Sequence, residues 1–133
     1  AYKYFEKQQQ HGSSYSHTIP YDTLVPGLCF KSSRPIIEKE ICNKMINMAE
    51  EAAKLNKDGW TTSRHYAVPT TDLPIHQVPS LLEIFNDNIM PRIRKLMADQ
   101  FGKKSIGSSG ERLHVHDAFL VRYEASKQRH LPM

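Results

Sequence analysis

The stretch HVHDAFLVRY, residues 114–123, decides how this chain reads. Val115, Phe119, Val121 and Tyr123 set apolar or aromatic side chains at odd positions, the two-residue period of a strand. His116, Leu120 and Arg122 interrupt that alternation, which predicts either a bulge or burial on both faces. A short polar turn follows over Glu124 to Arg129, and then His130-Leu131-Pro132-Met133.

Upstream of this strand, Lys103 to Glu111 is a polar loop containing Gly107-Ser108-Ser109-Gly110. Before it, a helical region is predicted from about Ser80 to Phe101, with Ser80 as its cap and Gly102 as its stop. Leu81, Leu82, Phe85, Ile89, Ile93, Leu96, Met97 and Phe101 make its apolar stripe. Pro91 lies inside and predicts a kink, or two helices meeting near Asn88 to Met90. GWTTSRHYAVPTTDLPI, residues 59–75, reads as an extended segment and a turn, because Trp, Thr and Tyr favour strands and prolines bound it.

The clearest helix spans about Pro35 to Leu55. Ser32 or Ser33 can cap it, Pro35 suits its first turn, and Glu38 and Glu40 complement the helix dipole there. Ile37, Ile41, Met45, Met48 and Ala52 recur at helical spacing as one buried stripe, with Asn56 and Gly59 as stops. From Thr18 to Phe30, Leu24-Val25 and Leu28-Cys29-Phe30 are broken by Pro20, Pro26 and Gly27, the pattern of an edge strand or extended segment. Residues 1–17 are polar and aperiodic and read as a flexible, mobile arm; anchoring through Tyr2, Tyr4, Phe5 and Tyr15 is the alternative. No repeat appears, so the organisation is an arm over 1–17 and one domain portion over 18–133.

Composition narrows the function classes. The 133 residues suffice for one small domain with a core, and 39% hydrophobic with 24% charged residues is ordinary for a globular chain. The net charge of +4 is mild, and the one local cluster, Arg92, Arg94 and Lys95, has no interleaved aromatics. It reads as a solvated helix face, which argues against nucleic acid as a partner. Cys29 and Cys42 are too few for a disulfide scaffold and lack zinc spacing. No apolar run approaches the ~20 residues of a membrane span, and this stretch shows no signal-peptide segment, which leaves the compartment open.

His114, His116 and Asp117 supply the residue types of a two-histidine, one-carboxylate iron site. On a strand, however, Asp117 faces away from His116, and both histidines read as structural or surface residues. His11, His17, His65, His76 and His130 show no ligand spacing, and no phosphate-binding glycine loop or nucleophile elbow is present.

Two of the quoted stretches resemble a known family. HDAFLVRYEASKQRHLPM, residues 116–133, and GWTTSRHYAVPTTDLPI are similar to segments of the 2-oxoglutarate- and Fe(II)-dependent oxygenases, in the prolyl 4-hydroxylase-like branch. The resemblance implies an α+β fold, with N-terminal helices packed on the first strands of a double-stranded β-helix (jelly roll) that is incomplete in this chain. It places the His-x-Asp iron pair after Met133, so no metal ligand and no catalytic residue is expected within 1–133. It assigns Tyr123 to the carboxylate of 2-oxoglutarate, which a phenol can hydrogen-bond, and Trp60, Arg64 and His65 to the substrate entrance. Fe(II), 2-oxoglutarate and ascorbate are the implied cofactors, none of them expected to bind this chain alone. Half a barrel exposes apolar faces and strand edges, so the implied partner is the remainder of the oxygenase domain or a protein that covers it. The function implied is a portion of a dioxygenase hydroxylating a prolyl or other side chain. The alternative is a catalytically inactive, oxygenase-like structural subunit of a larger assembly.

Overall fold

The computed structural model describes residues 17–55, 60–61 and 71–123. The arm before His17, the turn from Glu124 onward and most of the 59–75 segment, including Arg64 and His65, lie outside the described residues.

Strands β1, Tyr21–Val25, and β2, Cys29–Ser32, form an antiparallel hairpin with Tyr21 opposite Ser32 and Thr23 opposite Phe30. Its turn is closed by the Leu28 amide donating to the Val25 carbonyl at 3.0 Å. Pro26 presets the first central position, and Gly27 supplies the φ of +71° that a type II turn requires at the second. Type II turns fit the twist of paired strands poorly, and the register slips between Thr23 and Val25. Pro26 and Gly27 are therefore the turn of a hairpin and not breaks in a single extended segment. Tyr21, Phe30 and Phe101 stack edge to face, with centroids 5.5 and 5.1 Å apart, and this ladder ties the hairpin to the helical layer.

Helix α1 runs over Lys39–Leu55. It starts four residues later than the Pro35 start read from sequence. The Ser33 amide donates to the Pro20 carbonyl at 2.9 Å, which carries the hairpin pairing past β2. Arg92 Nη1 then donates to the Ile36 carbonyl at 2.8 Å and, with Nη2, grips the Glu38 carboxylate at 2.7 and 2.9 Å. Residues 33–38 are thus held out of the helix, and the Glu38 carbonyl accepts the first helical bond from Cys42. The inward face is Met45 and Ala49, flanked by half-buried Ile41, Met48 and Ala52.

Strand β3, Thr71–Pro74, replaces the turn expected there. It is central: Asp72 exchanges backbone hydrogen bonds with Thr61 on one side, and the strand pairs with β4, Phe119–Arg122, on the other. Asp72, Leu73 and Pro74 are buried accordingly.

A 3₁₀ turn, Ile75–Gln77, leads into helix α2, Pro79–Ile84. Val78 is its cap residue, without a side-chain cap bond, and Pro79 occupies the first turn, so Ser80 is not the cap. A π-helical turn, Phe85–Ile89, joins α2 to helix α3, Met90–Phe101. Here the Met90 amide reaches back five residues to the Phe85 carbonyl. Pro91, which cannot donate and crowds the preceding turn, lies just beyond this widened segment. The extra residue rotates the buried stripe. Ile84 and Ala98 turn inward, while Ile93 and Phe101 turn out. Gly102 ends α3 as expected, and a short helix α4, Lys103–Ile106, occupies the start of the predicted loop.

The expected long strand over 114–123 is regular only over Phe119–Arg122; residues 113–118 have no repeating structure. Met45, Ala49, Leu73, Ile75, Leu81, Leu82, Ile84, Phe85, Ile89 and Met90 form one core between α1, β3 and the helices that follow. No helix among the described residues is long and apolar enough to cross a membrane.

Candidate functional site: the end of strand β4

Strand β4 pairs with β3 in register, Pro74 opposite Phe119 and Thr71 opposite Arg122. The Ile75 amide extends this pairing by donating to the Ala118 carbonyl at 3.0 Å. Period-two geometry sends Leu120 and Arg122 to one face and Phe119, Val121 and Tyr123 to the other. Leu120 packs on the core, so the even residues face α1. On the odd side Phe119 is half-buried, while Val121 is 37% and Tyr123 53% exposed.

On the inner face Arg122 enters a three-part cluster. Its Nη1 lies 3.4 and 3.5 Å from the two oxygens of Glu50 on α1. Its guanidinium carbon sits 5.1 Å from the centre of the Trp60 ring, within cation–π range. Trp60 Nε1 in turn donates to Glu50 Oε2 at 3.4 Å. These are long contacts for hydrogen bonds, so charge attraction and ring stacking outweigh directional bonding. Three separate pieces of chain, α1, the segment leading to Thr61 and the end of β4, thereby meet at one point.

Beside this cluster lies a cavity of about 260 Å³, lined by Ile46, Ala49, Glu50, Trp60, Leu120, Val121, Arg122 and Tyr123. A larger groove of about 740 Å³ runs along another side of α1, but Glu40, Lys44 and Glu51 are spread along it without converging. Of the residues singled out from sequence, Trp60 and Tyr123 are brought to one cavity. Glu50 and Arg122 were missed there. The available signal was Arg122 itself, a charged residue sharing the Leu120 face of a strand that must rest on a helix.

His114 and His116 are exposed and Asp117 is half-buried. Asp117 Oδ1 accepts a hydrogen bond from the Ala118 amide at 2.9 Å. Among the described residues no group of three or more His, Cys, Asp or Glu could hold a metal ion.

The basic cluster is not a solvated face. Arg92 is engaged by Glu38 and Ile36, Arg94 donates to the Leu113 carbonyl at 2.8 Å, and Lys95 pairs with Asp99 at 2.7 Å. The Arg92 hydrogen bonds hold the Glu38 carboxyl below the usual glutamate range. Burial lowers the Arg94 pKa, with the nearby Glu111 charge opposing. Glu111 is itself lowered by its own backbone amide and that of Ser109, which donates at 2.9 Å.

In comparison with known proteins, no family model, no curated protein and no solved structure matches the chain.

Proposed function

We propose that this chain is a portion of a 2-oxoglutarate- and Fe(II)-dependent dioxygenase similar to the prolyl 4-hydroxylases, hydroxylating a prolyl or other side chain. The observation that carries the reading is the end of β4. Tyr123 stands at the close of a strand backed by a helical layer, with its ring exposed on the open face beside Val121. A jelly-roll oxygenase needs an apolar, inward-facing strand surface with a hydroxyl donor for the co-substrate carboxylate, and this face offers both. Tyr123 fits 2-oxoglutarate because a phenol donates one hydrogen bond to a carboxylate while its ring packs against a wall. The described residues do not fit an iron site, so no step through the metal is derived from them. Ascorbate stays an implication of the family resemblance alone.

A second reading is favoured by the uncovered surfaces. Val121 on β4, Tyr123 just after it, and Leu24, Val25 and Leu28 on the hairpin are exposed apolar or aromatic groups. β4 pairs only with β3 among the described residues. Such a face requires a cover, supplied either by further polypeptide completing a barrel or by a partner protein. If a partner supplies it, the chain is an inactive oxygenase-like structural subunit.

The deciding experiment is 2-oxoglutarate decarboxylation by the natural full-length protein with Fe(II) and ascorbate, read as succinate formed. Turnover that falls in Tyr123→Phe supports the dioxygenase. A protein that neither binds nor decarboxylates 2-oxoglutarate, yet co-purifies in a defined assembly, moves the conclusion to the structural subunit.

A further inference from the structure

We propose that Arg122 is a positioning residue, which through Glu50 and Trp60 fixes the direction in which Tyr123 presents its hydroxyl to a carboxylate co-substrate. This rests on the dioxygenase reading and deepens it. The argument starts from the ladder. The last residue of β4 paired with β3 is Arg122, opposite Thr71. Among the described residues Tyr123 follows the last ladder pair, so what holds residue 122 is the nearest described restraint on it.

That restraint lies on the opposite face of the strand. Because adjacent residues point to opposite faces, fixing the Arg122 side chain against α1 sets the rotation of the strand end and so the direction of the Tyr123 side chain. Among the described residues, two groups from different parts of the chain contribute to the fixing. The Glu50 carboxylate lies 3.4 and 3.5 Å from Nη1, and the Trp60 ring has its centre 5.1 Å from the guanidinium carbon. Trp60 donates to the same carboxylate at 3.4 Å, which closes the triangle. Trp60, Arg122 and Tyr123 all line the cavity of about 260 Å³ beside this triangle.

The arrangement suits positioning better than general stability. The Arg122 and Glu50 side chains are 34% and 38% exposed, where ion pairs contribute little to folding. An arginine suits the contact over the Trp60 ring, which lysine reproduces poorly.

The test is a double-mutant cycle in the natural full-length protein. Its readout is the affinity for 2-oxoglutarate in calorimetric titrations with Mn(II) present. Loss of one hydrogen bond to a carboxylate predicts about tenfold weaker binding in Tyr123→Phe. Arg122→Gln is expected to weaken binding by about three- to tenfold, and Glu50→Gln in the same direction but less. In the Tyr123→Phe background, Arg122→Gln is expected to have no further effect, because its action runs through the missing hydroxyl. An equal loss from Arg122→Gln in both backgrounds, or no loss in either, overturns the proposal while leaving the dioxygenase reading intact. Wild-type protein that does not bind 2-oxoglutarate overturns both. Thermal melts of each variant accompany the titrations. If Arg122→Gln does not fold, Glu50→Gln alone and with Tyr123→Phe runs the same cycle.

Discussion

Replacing Gly110 by alanine is expected to destabilise the protein well beyond the same change at Gly27, and the comparison isolates one close approach. Both glycines have φ of +71°, so each substitution carries the same left-handed backbone cost, about 1–2 kcal/mol. At Gly27 an added Cβ meets nothing within 4 Å. At Gly110 it would collide with backbone and side chain of Arg94: the carbonyl oxygen, and the carbonyl carbon and Cβ at 2.8 Å each. A helix backbone cannot yield as a side-chain tip can, and overpacking of this kind costs about 1–3 kcal/mol more. The loop cannot swing clear either. The Gly110 amide donates to the Gly107 carbonyl, its own carbonyl accepts from Leu113, and Arg94 holds the Leu113 carbonyl. Gly110→Ala should therefore lose about 2–5 kcal/mol and Gly27→Ala about 1–2 kcal/mol in urea unfolding of the full-length protein. Equal losses at the two sites would refute the docking of this loop on α3, and with it the path by which residues 113–118 deliver β4 to the sheet.

Two further outcomes follow from the core and from the Glu38–Arg92 pair. Leu81→Ala, at a residue with 0% exposure, should cost about 2–5 kcal/mol, whereas Leu55→Ala, 89% exposed at the end of α1, should stay within about 0.5 kcal/mol. Denaturant midpoints of the two variants check this, and a large loss at Leu55 would place that residue in contact with something beyond the described core. Because the Glu38 carboxyl titrates lower in the folded protein than in the unfolded chain, its contribution to stability is present above the ordinary glutamate range and is lost as pH falls through its folded value. Thermal midpoints followed from neutral pH into the acid range should fall less steeply in Glu38→Gln than in the wild type; matching slopes would mean that the Arg92 contact contributes nothing to folding.

Helix α1 was legible from residues alone because Ile41, Met45, Met48 and Ala52 repeat at helical spacing whatever surrounds them. Its start was not, because what delays it, Arg92 reaching Ile36 and Glu38, comes from more than fifty positions away. The break before Pro91 was legible in place but not in kind. A missing donor predicts an interruption, yet whether the chain kinks or widens into a π turn depends on what α2 and α3 must bury together. That choice rotated Ile93 and Phe101 outward against the simple stripe. The turn expected in the 59–75 segment, Pro-Thr-Thr-Asp, overlaps the start of β3, whose flanking partners, Thr61 and Val121, are visible only in the folded chain. At the candidate site Tyr123 and Trp60 are picked out by the resemblance of their stretches to the oxygenase family. Glu50 is not, since a glutamate on a helix is ordinary until an arginine from another element lies beside it.

Comparing magnitudes separates what holds this fold from what tunes its site. Leu73, Leu81 and Met90 are each at most 2% exposed, and burying such side chains stabilises by about 1.5–3 kcal/mol apiece. The Glu50–Arg122 pair, about one-third exposed, is worth no more than about 1 kcal/mol, and an exposed cation–π contact about 0.5–1 kcal/mol. Removing the cluster should therefore leave the core folded. Its effect must be local, and the local structure in question is the last paired residue of β4. The core fixes where β4 lies, and the Arg122 cluster fixes how it ends.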